Sequence, residues 1–140
     1  MGRKLRKLLV FSFTDWLMLF RVYALFLLVE LGFRFLRFST MVRLISMKRN
    51  ESKSIAKTCP QRELYLVTLA SRYTILRVTC LKKSFVLFCL LRRNGKFPVL
   101  HIGVQKDENF EAHAWVEVAG SPVLDAKTRI STFRQIFQLA

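Results

Sequence analysis

Three residues between Thr79 and Asp125 have the types and the chain order of a nucleophile, its base and the group that orients the base. Cys80 offers a thiol, His113 an imidazole and Asp125 a carboxylate. A thiolate can attack a carbonyl carbon, an imidazole can carry the proton, and a carboxylate can hold the imidazole in one tautomer. The plainer alternatives are an inert buried cysteine and a solvent-facing histidine. The elements around the three residues must decide between these readings.

Cys80 follows Thr79, a good N-cap residue, and opens an apolar run that reaches Arg92-Arg93-Asn94-Gly95. This predicts a helix from Cys80 to about Arg93, with the arginines suiting the dipole and Asn94-Gly95 as the stop. A thiol in a first helical turn meets unpaired backbone N–H groups, which favour thiolate, and Lys82 and Lys83 add positive potential. Cys89 falls on the opposite side of the same helix and faces packing, so it is no disulfide partner for Cys80. With Cys59, the three cysteines match neither a disulfide framework nor a zinc site. A reducing cytoplasm and no metal or other cofactor are expected.

After Gly95 the hydrophobic period changes from helical to alternating. Phe97 to Val104, Phe110 to Val118 and Pro122 to Asp125 read as three antiparallel strands, with turns at 105–109 and 119–121. On the second strand His113 shares a face with Glu111, Trp115 and Glu117, while Phe110, Ala112, Ala114, Val116 and Val118 take the other. A histidine beside a tryptophan on the polar face suits a cleft. His101 is the competing histidine, with no comparable acid downstream of it. A two-residue turn at Ala119-Gly120 would set Asp125 opposite Ala114, on the wrong face. A three-residue turn or a glycine bulge brings it to the face of His113. The bulged or three-residue connection is therefore expected. The tail, Ser131 to Ala140, reads as a short closing helix through Phe133, Ile136 and Phe137.

Upstream, Ser12 and Asp15 form a capping pair that starts a helix near Phe13. Leu8 to Val29 is long enough to span a bilayer, but Asp15 and Arg21 lie within it, each costing ~2.5–3.5 kcal/mol near the bilayer centre. A buried helix is favoured, with peripheral membrane contact as the alternative. The basic start of the chain resembles a signal peptide, yet Ser12 and Asp15 interrupt the apolar run and no small-residue cleavage site follows. Asp15, Glu30, Arg34 and Arg37 share one arc, and Glu30 and Arg34 are an i,i+4 pair in the favourable order. Gly32 is the expected break before a second basic helix reaching about Met47. Residues 1–49 thus form an apolar, basic helical arm, 50–58 a polar linker, and 59–140 the catalytic core. That core opens with a capped helix at Thr58-Cys59-Pro60.

At 140 residues the chain suits one domain with a modest core. Its 24 Lys and Arg against 9 Asp and Glu give a net charge of +15, a field that attracts acidic peptides or anionic surfaces. Nucleic acid is not the expected partner, because no zinc-finger spacing or RNA-recognition signature accompanies the charge. The fold class expected is α+β, with N-terminal helices packed on a small antiparallel sheet.

One string is more specific than composition. Thr79-Cys80-Leu81, Leu90-Leu91-Arg92-Arg93-Asn94-Gly95, Leu100-His101-Ile102-Gly103-Val104, Glu111-Ala112-His113-Ala114-Trp115-Val116-Glu117-Val118 and Pro122-Val123-Leu124-Asp125 together resemble the leader peptidases of lasso peptide biosynthesis. These belong to the transglutaminase-like group of papain-type cysteine enzymes, and the resemblance covers the C-terminal half of the chain. It implies a Cys-His-Asp peptidase with Cys80 as nucleophile, His113 as base and acid, and Asp125 as orienter. It also implies a stand-alone enzyme acting on the leader region of a precursor peptide. The implied partners are a separate leader-recognition protein and, as a further candidate, the macrolactam synthetase. His101 stands where the family pattern has an aliphatic residue. The same trio serves other acyl transfers, and a non-enzymatic basic adaptor at a membrane surface is the reading outside enzymes.

Overall fold

The computed structural model describes residues 12–47, 60–106, 109–125 and 127–140. The expected linker at 50–58 and Cys59 lie outside the described residues.

Local signals set most helix ends. The Asp15 carboxylate accepts from the Ser12 N–H at 3.1 Å, and helix α1 runs Phe13–Phe35, as the capping pair predicts. It does not break at Gly32. That residue instead admits the neighbouring helix α2, Phe38–Met47, since a Cβ at Gly32 would stand 2.3 Å from Met41 Sδ. Helix α3, Gln61–Tyr73, has Pro60 itself at its N-cap. Helix α4, Cys80–Arg93, starts at Thr79, whose hydroxyl accepts from the Lys82 N–H at 3.4 Å. It closes in a Schellman motif, where Gly95 takes φ 73° and the N–H groups of Gly95 and Lys96 donate to Arg92 and Leu91.

Four antiparallel strands follow in the spatial order β3-β2-β1-β4, which makes the chain α+β. Strand β1, Pro98–Lys106, pairs with β2, Phe110–Val118, so that Leu100 faces Val116 and His101 faces Trp115. Strand β3 is only Ser121–Pro122. Its register, Val118 opposite Ser121, leaves a strict two-residue turn with φ 52° at Ala119 and 74° at Gly120. These are the signs of a type I′ turn, and the bulged or three-residue connection expected above is wrong. The ladder ends at Pro122 with one last bond from the Val123 N–H to the Val116 carbonyl, so residues 124 and 125 escape the strand alternation that would have carried Asp125 to the other face.

The tail is also not a helix. After the single turn α5, Lys127–Ile130, strand β4, Arg134–Leu139, pairs along the other edge of β1. Its register shifts between Ile102, opposite Phe137, and Gly103, opposite Gln135. Two residues of β4 therefore face one step of β1, a β-bulge at Ile136, which is exposed. The consequence is directional. Phe137 and Leu139 stay with the core, whereas Phe133 and Gln135 turn to the opposite face of the sheet.

The helices cover one sheet face. Val22, Phe26 and Val29 of α1, Leu66 and Val67 of α3, and Phe85 and Phe88 of α4 share one cluster with Leu100, Val116 and Leu139 of the sheet. Each such side chain contributes roughly 1.5–3 kcal/mol on full burial. Charge pairs lock the helices to each other. Asp15 pairs with Arg62. Glu30 pairs with Lys82 at 2.5 Å rather than with the expected Arg34. Beneath α3, Glu63 is buried with Lys96 at 2.6 Å and with the Asn94 amide at 2.9 Å. Burial alone raises the Glu63 pKa, but the hydrogen bonds from Lys96 and Asn94 outweigh it and hold the carboxyl below its ordinary value.

Candidate active site

The other face of the sheet carries the imidazoles. His101 and His113 flank Trp115, their rings stacked on it at centroid distances of 5.4 and 6.3 Å. Both histidines and Trp115 are buried, and Phe133 closes over His113 at 5.3 Å. Gly103, opposite His113, is the floor beneath the tryptophan: a Cβ there would stand 2.9 Å from the indole ring and 3.0 Å from Phe133.

Asp125 reaches this face by the route just described. Its Oδ1 lies 3.2 Å from His113 Nε2, at ion-pair range but without the alignment of a hydrogen bond. His101 forms a second pair of the same kind, its Nε2 lying 3.4 Å from Glu117 Oε2. The other ring nitrogen of His101 meets Gln135 Oε1 at 3.0 Å, and the Trp115 N–H donates to Glu117 at 3.1 Å. The expectation that His101 lacks a carboxylate is therefore incorrect. Glu117 was already on the polar face of β2; only the β1–β2 register was needed to set it diagonal to His101.

Cys80 is exposed at the start of α4. Ser84, one turn later on the same side of that helix, is buried and donates to the Ala114 carbonyl at 2.9 Å. In a strand, carbonyls two residues apart point the same way. The Val116 carbonyl accepts from Val123 at 3.1 Å on the β3 side, so the Ala114 carbonyl points to the stretch of edge that β3 leaves uncovered. Ser84 fills that vacancy and fastens the start of α4 to the open edge of β2, next to His113. Among the described residues no hydrogen bond joins Cys80 to His113. The structure thus brings His113 and Asp125 together and sets the cysteine-bearing helix against the same strand. The ammonium of Lys82, expected to add positive potential at the thiol, is engaged by Glu30 and the Arg77 carbonyl.

Cys89 behaves differently. Burial pushes its thiol up to about 11 despite Arg92 and Arg93 nearby. Iodoacetamide at pH 8 is therefore expected to label Cys80 at least tenfold faster than Cys89, read by peptide mass mapping. Equal rates would contradict these settings.

A family model described as the Transglutaminase-like superfamily matches residues 25–138. The chain belongs to the transglutaminase-like superfamily. Cysteine peptidases and acyltransferases are among its members. Comparisons with curated proteins and with solved structures found no match.

The matched span of this transglutaminase-like chain begins inside α1 and ends inside β4, so both belong to the family region. Ser84, Glu117, Gln135 and Phe133 surround the candidate residues in the structure and were not singled out from the sequence. Ser84 carried a usable sign, a hydroxyl one turn from the thiol at the head of the apolar run Phe85–Leu91. Phe133 and Gln135 carried none, because the bulge in β4 decides which face they take. Among the described residues no cluster of three or more His, Cys, Asp or Glu side chains could hold a metal.

Proposed function

We propose that this protein is a cysteine peptidase that removes the leader from a ribosomally made lasso peptide precursor through an acyl-enzyme on Cys80. The observation that carries the catalytic part is the pairing of buried His113 with half-buried Asp125 beside the strand edge to which Ser84 fastens the Cys80 helix. The resemblance of the Glu111–Val118 string to lasso leader peptidases supports the choice of substrate.

In this reading Asp125 engages Nε2 of His113, which leaves Nδ1 to take the proton of the Cys80 thiol. The thiolate attacks the carbonyl at the leader–core junction, and the tetrahedral oxyanion is held in part by the Cys80 backbone N–H at the helix start. As the intermediate collapses, the C–N bond breaks and His113 protonates the departing core amine. The leader stays as a thioester until His113 draws a proton from water, whose oxygen displaces the sulfur. The leader then leaves as a free acid. A separate leader-recognition protein presents the substrate, and the macrolactam synthetase receives the freed core.

Intact-mass analysis of a precursor incubated with the protein and its leader-recognition partner tests this. Hydrolysis adds one water and yields leader acid and core amine. Cys80→Ala is expected to abolish cleavage while leader binding persists. Undiminished cleavage by that variant would sink the assignment, and a leader joined to an added amine would turn the reading to acyl transfer.

A further inference from the structure

Helix α1 is apolar on two sides. Its inner side lies in the core. On its outer side Phe13, Leu17, Phe20, Leu28, Leu31 and Phe35 are all exposed, Phe13 and Phe20 by 82% and 72%. At about 100° per residue these six fall within an arc of roughly 80°, nearly opposite the buried stripe. The exposed Arg21 and Arg34 lie just beyond the two rims of that arc. The acids of the helix are elsewhere, Asp15 held by Arg62 and Glu30 by Lys82. An open groove of about 430 Å³ between α1 and α2 continues the apolar surface past Leu31, Phe35, Leu36 and Leu44. In sequence, Arg3, Lys4, Arg6 and Lys7 precede the helix.

We infer that this face docks on an anionic lipid surface, with α1 lying in the plane of the interface and its rim arginines against lipid phosphates. Three observations select this occupant. The charges bordering the stripe are cationic, the net charge is +15, and the acids that would repel lipid phosphate are neutralised within the chain. A second copy is disfavoured, because apposing two such faces would bring their arginine rims together. A membrane span is disfavoured too. Although α1 has the length and hydropathy to cross a bilayer, its inner side supplies Val22, Leu25, Phe26 and Val29 to the core. Leaving that core would unfold the domain.

The inference is independent of the proposed chemistry. Flotation of the full chain with vesicles of phosphatidylcholine and phosphatidylglycerol, against phosphatidylcholine alone, tests it. Binding to the anionic vesicles is expected, weakened at least tenfold without the anionic lipid and again in 0.5 M salt. Arg21→Gln with Arg34→Gln should weaken it about tenfold. Phe20→Glu with Leu28→Glu should abolish it while leaving the thermal midpoint unchanged. No flotation, or equal flotation with neutral vesicles, overturns the proposal. So does a dimer dispersed by the glutamate variant, or unfolding of that variant, which would mean the face is covered within the chain or by a second copy.

Discussion

Asp125→Ala is expected to lower kcat for the proposed leader cleavage by on the order of 10³-fold, with KM little changed. The side chain touches His113 Nε2 at 3.2 Å and lies in a bend outside the ladder. Its removal should therefore cost the imidazole its orientation and preferred tautomer without disturbing the sheet. Asp125→Asn should keep the ring in place but remove the charge, and an amide NH2 turned towards Nε2 favours the wrong tautomer, so a loss of comparable size is expected. The comparison separates orientation from charge. Single-turnover rates at saturating substrate are the measurement, and kcat within threefold of wild type in Asp125→Ala would remove Asp125 from the mechanism.

Glu63→Gln is expected to destabilise the fold by about 3–5 kcal/mol, the usual cost of leaving one member of a buried ion pair alone. Lys96 is as buried as its partner, so its ammonium would face an amide that cannot balance it. Glu63→Leu combined with Lys96→Met should recover most of the loss, since well-packed apolar replacements of buried pairs are commonly neutral or better. The pH dependence has a definite sign. The folded-state pKa of Glu63 is depressed, so its contribution is complete above the unfolded value of about 4.3 and is lost as pH falls through the folded value. Urea denaturation at pH 7 and at pH 3 checks both statements. The wild type should lose more stability on acidification than Glu63→Gln, and equal slopes would mean the pair does not titrate with unfolding.

The limits of the sequence were local in origin. Helix α4 was legible to the residue because its start and stop depend on nearby side chains, Thr79 at one end and Asn94-Gly95 at the other. The alternation around His113 was legible for the same reason, since strand faces follow from a period of two. Counting along a turn was not enough for Asp125. The turn proved to be two residues, and the carboxylate reaches the histidine only because strand pairing ends at Pro122. The tail misled for a similar reason. Phe133, Ile136 and Phe137 have helical spacing, but β1 had an open edge that a strand could satisfy, and a bulge let Ile136 face outward.

Sequence alone therefore determined the fold class, the helix that presents Cys80 and the face that carries His113, because each is written in short-range periods and caps. Tertiary structure decided what meets what. It closed Asp125 on His113, gave His101 its Glu117, turned Phe133 over the site and set Ser84 on the open edge of β2. Those contacts depend on register, on where pairing stops and on which strand edge remains free. Such quantities are properties of two segments together, and no single segment encodes them.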